Sequence, residues 1–135
     1  MGASLSQAAS STWLHSASDS YAAASKLALQ HPRSACSRYY FAAYAAAHAL
    51  LLRLGQTPPA RGNWPHESLA DQLGACLATR AGSRSVSVYR QSIRNAHRLR
   101  VVADYGVRFP MSDSDAALAR RCAGQVLHLA RRIAG

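Results

Sequence analysis

Residues 33–54 read RSACSRYYFAAYAAAHALLLRL. Small or apolar side chains fill nearly every position and no broad polar face survives, so the run predicts a helix buried on all sides. Its alanines, among them Ala42, Ala43, Ala46 and Ala47, let neighbouring helices approach closely. The longest uncharged apolar-rich stretch, residues 39–52, is 14 residues long. That is too short to cross a bilayer and suits the central helix of a bundle.

Working outward, Trp13, Ala17, Tyr21, Ala24, Leu27 and Ala28 recur at intervals of three and four. This periodicity predicts an amphipathic helix over 12–30, stopped by His31-Pro32 because the residue before proline is pushed out of the α region. Residues 1–11 are rich in Ser and Ala and are expected to form a flexible segment, leaving 12–135 as one helical domain. On the other side, Gly55 and Thr57-Pro58-Pro59 end the central helix, and 56–64 form a loop. Pro65 suits the first position of a third helix running to about 79. A fourth is expected over 85–104, and a fifth over 113–134 behind the cap run Ser112-Asp113-Ser114-Asp115. No alternating strand pattern, internal repeat or Gly-rich phosphate loop is present. The expectation is an all-α, five-helix, up-and-down bundle.

The 135 residues make one ordinary domain, and 49% hydrophobic against 16% charged residues excludes wholesale disorder. Sixteen Lys+Arg face six Asp+Glu, for a net charge of +10; Lys26 is the one lysine. Such a balance points to a polyanionic partner, nucleic acid first. A GC-rich coding bias would also write many Ala and Arg codons. Cys36, Cys76 and Cys122 are odd in number and widely spaced, which fits buried apolar residues rather than disulfides or a metal site. No cofactor is expected. The start of the chain lacks a basic patch followed by an apolar run, so a cytoplasmic protein without a membrane partner is expected.

One residue breaks the helical pattern. On the fourth helix Tyr89, Ile93, Ala96 and Ala103 share a stripe, and Arg100 completes it. An unpaired buried arginine is strongly destabilising, so Arg100 must be paired or must border a polar groove. Asp104, four residues on, is the natural partner. Arg90, Arg94 and His97 lie on an adjoining face and, with Arg98, make this helix strongly basic. That face is either a solvated charged surface or an RNA-facing groove, where arginine pairs bidentately with phosphate. The stretch 61–67, RGNWPHE, sets Arg61, Trp64 and His66 beside a helix N-terminus, which favours anions.

Residues 37–51, SRYYFAAYAAAHALL, resemble the SRaYYAaFxAAxALL helix of small prokaryotic HEPN-domain proteins. In that family a Gly, a loop and a His opening the next helix follow, here Gly55 and His66. An LRxxADY element comes later, here Leu99-Arg100-Val101-Val102-Ala103-Asp104-Tyr105, and then an acid-capped last helix. The agreement covers roughly residues 15–134.

The resemblance implies a helical bundle that forms homodimers. Many such domains are metal-independent endoribonucleases, often in toxin–antitoxin or defence systems. An Arg, four to six residues and a His meet their counterparts across the dimer, and the RNA 2′-hydroxyl attacks the adjacent phosphate. Histidine suits the proton transfer and arginine the charge growing on phosphorus. Other members are non-catalytic partners of a nucleotidyltransferase or toxin encoded by a neighbouring gene. Aligning Tyr105 with the tyrosine that follows the motif histidine puts Ala103 at the histidine position. Arg98 or Arg100 then lacks its proton-transfer partner. Asp104 is a poor substitute, because a neighbouring guanidinium favours a carboxylate anion.

The catalytic candidates are therefore Arg100 with Asp104, or Arg90 with His97, whose spacing fits the motif on the right helix. Arg61 and His66 have the spacing at a loop. Tyr40, His66, Tyr105 and Arg94 are the candidate ligand-binding residues for RNA or a nucleotide. Three functions stay open: a ribonuclease, a non-catalytic interaction module, and a nucleotide or anion pocket formed by Tyr40, His66, Arg100 and Asp104.

Overall fold

The computed structural model describes residues 2–59, 62–80 and 82–135. Five helices follow one another: α1 (Gly2–Leu27), α2 (Pro32–Arg53), α3 (His66–Ala78), α4 (Ser83–Tyr105) and α5 (Asp113–Ala134). No strand occurs among the described residues. The all-α bundle expected from the periodicity is the fold observed.

Helix α2 is the axis. It packs against each of the other four helices, and every residue from Ala42 to Leu52 is buried. Pro32 opens it rather than merely ending α1: its missing N–H falls where a helix has no acceptor to offer. The helix closes on Gly55, whose φ of 86° is the left-handed conformation glycine adopts without strain. Gln56 N–H then bonds Leu51 C=O and Gly55 N–H bonds Leu52 C=O, so the last carbonyls are satisfied.

The first helix starts at Gly2, about ten residues before the expected start, and so takes in most of the segment expected to be flexible. Tertiary contacts account for the extension. The Ser10 hydroxyl, fully buried, donates to the Ala49 carbonyl at 2.7 Å, and Trp13 lies against Tyr44 and His48 of α2. At its other end the helix stops at Leu27, where His31 N–H caps the Leu27 carbonyl.

The long helices alternate in direction. Ser10 meets Ala49 while Ser25 meets Tyr39, so α1 and α2 are antiparallel. Arg33 meets Ala103 while Tyr40 meets His97, so α2 and α4 are too. The short α3 lies alongside α4, and the 54–65 connection doubles back along α2 to reach its start. Pro65 is the residue before α3, with extended backbone, rather than its first residue.

Helix α4 has no basic residue in its last turn. Arg33 of α2 supplies one across the bundle, donating to the carbonyls of Val102 (3.0 Å), Ala103 (2.8 Å) and Phe109. A cation there satisfies the free carbonyls and complements the helix dipole. Helix α5 opens on a capping box: Asp115 N–H donates to the Ser112 hydroxyl, and Ser112 N–H donates back to the Asp115 carboxylate. Spacing predicts an apolar stripe of Ala119, Cys122, Val126, Leu129, Ala130 and Ile133; the first five are buried, and Ile133 in the last turn is only partly so. All three cysteines are buried and free, and burial raises each thiol pKa. No helix among the described residues is long and apolar enough to cross a membrane.

Candidate functional site

The doubling back of the 54–65 connection lays the start of α3 across one face of α2. That face carries Tyr40, Tyr44 and His48, spaced one helical turn apart. Each makes a contact with the incoming chain. His48 Nε2 accepts the Trp64 backbone N–H at 3.0 Å, and the Tyr44 hydroxyl donates to the Trp64 carbonyl at 3.2 Å. The Tyr40 hydroxyl lies 2.6 Å from His66 Nδ1. Trp64 itself is 1% exposed, so the segment is anchored by an aromatic side chain as well as by its backbone.

Above these contacts opens a cleft of about 400 Å³, lined by Tyr40, Phe41, Tyr44, His66, Arg38 and Arg100 among others. His97 stands beside it. Its ring stacks on His66 with centroids 5.7 Å apart and planes 9° from parallel, and lies 5.1 Å from Tyr40. The site thus gathers two imidazoles, two phenols and two guanidinium groups.

Arg100 does not sit unpaired in the core. Its side chain is 27% exposed, and Nε reaches Asp104 Oδ2 at 2.8 Å. The same carboxylate oxygen accepts from the Ser37 hydroxyl at 3.3 Å. Asp104 thereby steadies Arg100 at the cleft wall, and the buried position of that stretch goes to Leu99. Tyr105 is 72% exposed, with the Arg100 guanidinium 5.7 Å from its ring centroid; it belongs to the outer surface rather than the cleft.

Burial is the main reason the Tyr40 phenol pKa is raised well above its ordinary value, with Tyr44 adding to it, so Tyr40 stays protonated. Burial lowers the His66 pKa, and Arg100 and His97 lower it further, against a smaller opposing effect of Glu67. His66 is therefore held neutral. Tyr40 Oη and His66 Nδ1 share one hydrogen bond, which the phenol accepts when the ring proton is on Nδ1 and donates when it is on Nε2; Nε2 has no hydrogen-bond partner among the described residues. A neutral ring with Nδ1 held by a phenol and Nε2 free beside a guanidinium is equipped, as the tautomer protonated on Nδ1, to accept a proton on Nε2. Among the described residues no three of His, Cys, Asp and Glu cluster as metal ligands would.

The residues singled out from the sequence divide. Tyr40, His66, His97 and Arg100 converge, with Asp104 behind Arg100. Arg90 and Arg94 go elsewhere: both turn to Asp71 of α3, Arg94 at 2.6 Å and Arg90 Nε at 3.6 Å, an ion-pair distance too long for a hydrogen bond. Arg90 and His97 therefore do not form a pair within the chain. Ala103, the position of the absent histidine, is buried. Arg61 lies outside the described residues.

Four site residues escaped the sequence reading. Arg38, Phe41, Tyr44 and His48 stood in a quoted motif without a role. The usable signal was the repeat of Tyr40, Tyr44 and His48 at one-turn spacing on an otherwise apolar helix.

No curated protein matches the chain. The HEPN domain matches residues 10–133, nearly the whole of it. The element that carries the cleft, from the Tyr40 helix to the Arg100–Asp104 pair, falls inside that span, and the chain belongs to the HEPN family.

Proposed function

We propose that the cleft between α2, α3 and α4 binds the phosphate backbone of RNA or a nucleotide, and that His66 moves the proton if the bound RNA is cleaved. The observation that carries this reading is the 2.6 Å contact of Tyr40 with His66 Nδ1, beside Arg100 in an open cleft. Arg38 and Arg100 supply positive charge for a phosphate, and an aromatic wall including Phe41 offers a surface on which an unpaired base can stack. In the cleavage that the family resemblance implies, the 2′-hydroxyl would attack the adjacent phosphorus. Arg100 would stabilise the charge on the phosphorane; neutral His66, carrying its proton on Nδ1 toward Tyr40, would take the 2′-hydroxyl proton on Nε2, and the departing 5′-oxygen would take its proton from water. A toxin–antitoxin or defence-type role belongs to the same reading.

The test is direct. A labelled single-stranded RNA should bind at low salt and yield 2′,3′-cyclic phosphate ends in the presence of a chelator. His66→Ala should abolish cleavage. RNA that neither binds nor is cut at low salt and high protein concentration sinks the proposal. Loss of cleavage in His97→Ala with His66→Ala unaffected would transfer the proton role to His97.

A second reading, a non-catalytic module that partners a nucleotidyltransferase or toxin, is favoured by the burial of Ala103 at the expected histidine position. It predicts RNA bound but left intact. The homodimer belongs to both readings, and the exposed Val101, Tyr105, Val107 and Phe109 near the end of α4 offer apolar surface for a second copy. A sedimentation experiment showing only monomer at high concentration removes it.

A further inference from the structure

The geometry points to His48 as a positioning residue for His66: by holding the Trp64 backbone on α2, it sets the register in which Pro65 and His66 reach Tyr40. The inference rests on the proposed function for its purpose, because the placement of His66 matters when the cleft takes RNA.

His48 is fully buried and polar, so both ring nitrogens must be satisfied. The partners dictate the tautomer. A backbone N–H can only donate, so Nε2, 3.0 Å from Trp64 N, carries no proton. A carbonyl can only accept, so Nδ1, 2.9 Å from Tyr44 O, carries it. Burial also lowers the His48 pKa, more than the Tyr44 carbonyl raises it, and His66 lowers it further. The rings of Trp13 at 4.4 Å and Tyr44 at 4.3 Å pack against the imidazole from adjacent sides.

His48 is thus a neutral acceptor aimed at the backbone of one residue. That residue lies two positions before His66. With Tyr44 on the Trp64 carbonyl, both the N–H and the C=O of Trp64 face α2 side chains. A core histidine that only filled space would have no reason to meet the chain at its arrival on the site. Shifting Trp64 by one residue would leave its replacement unable to fill the buried tryptophan position and would move His66 past Tyr40.

Two substitutions separate acceptor from volume. His48→Gln can present an amide oxygen near the place of Nε2. His48→Leu fills similar space without an acceptor and strands the Trp64 N–H. The readouts are the imidazole ¹⁵N shifts of His66 and His48, and the affinity for a labelled single-stranded RNA. In the wild type, His48 should show a protonated Nδ1 and an unprotonated Nε2, and the Trp64 amide should exchange slowly. In His48→Leu the His66 shifts should move to those of a solvated ring and RNA affinity should fall about tenfold, whereas His48→Gln should stay within about threefold of wild type.

A folded His48→Leu protein with unchanged His66 shifts overturns the inference. If that variant does not fold, the wild-type tautomer and Trp64 exchange decide: an Nε2-protonated His48 or a rapidly exchanging Trp64 amide overturns it. If wild-type protein fails to bind RNA, the proposed function falls. The imidazole and amide measurements, which use no RNA, still judge the positioning role.

Discussion

The two halves of α4 use the same residue type for different ends. In the first half, Arg90 and Arg94 reach across to Asp71 and fasten α3 to α4. Gly74 makes room for this strap, since a Cβ at that position would lie 2.7 Å from Arg90 Nε. In the second half, Arg100 is also paired, with Asp104, yet its surroundings are the phenols and imidazoles of the cleft. Pairing alone does not separate a structural arginine from a functional one. The difference lies in what shares the space: a helix backbone in one case, and groups able to hold and transfer a proton beside an open volume in the other.

The largest effect expected is on the cleft side. His66→Ala should lower RNA cleavage by about 10²- to 10⁴-fold, the usual worth of a proton-transfer group. Its thermal unfolding should stay close to wild type. A matching loss of stability would mean that His66 is part of the scaffold and would blur the contrast.

Next comes Arg33, which serves neither half directly but caps the end of α4 on which Arg100 and Asp104 stand. Arg33→Ala should destabilise the fold by about 2 kcal/mol, because half-buried carbonyls lose charge-assisted hydrogen bonds. Urea unfolding measures this, and an unchanged midpoint would show that water replaces the guanidinium at little cost.

Arg100→Ala should weaken RNA binding about tenfold and reduce the salt slope by about one. If Arg94→Ala has the same effect on the salt slope, the division of α4 into a strap and a site is wrong. Asp71→Ala is expected to do least. Its pairs are more than a third exposed, so the loss should be under about 1 kcal/mol in stability, with RNA affinity unchanged.

Stability should also depend on pH through the buried His48 and the half-buried His66. His48 and His66 both have folded-state pKa values below the ordinary imidazole value of 6.5. The unfolded chain then binds more protons than the folded one, so this part of the stability is full above pH 6.5 and is lost as pH falls below it. His48→Gln, which removes one of the two groups, should flatten that slope in urea melts taken from about pH 7 downward. A slope identical to wild type would mean that His48 titrates alike in both states.

Much of this architecture was legible in the chain alone. The apolar run of α2, the stripe of α5 and the Ser112–Asp115 cap are local patterns, and local patterns survive folding because spacing along a helix is fixed. Arg100 was also legible as an anomaly, since a cation on an apolar stripe demands an explanation. The start of α1 was not, because no helix signal separates residues 2–11 from a frayed end until Ser10 finds the Ala49 carbonyl. Nor could spacing alone assign the histidines. His97 has the motif interval from Arg90, yet Asp71, on another helix, takes that arginine.

By itself, then, the amino-acid sequence determined that the chain forms helices, which of them is central, and that its LRVVADY element holds a charged pair at i and i+4. These follow from interactions within a few residues. The tertiary structure alone decided that His66 meets Tyr40, that His48 holds Trp64, and that Arg90 serves α3 rather than the cleft. Those contacts join residues distant in the chain. Their geometry depends on how far the 54–65 connection folds back along α2, a distance that no local periodicity encodes.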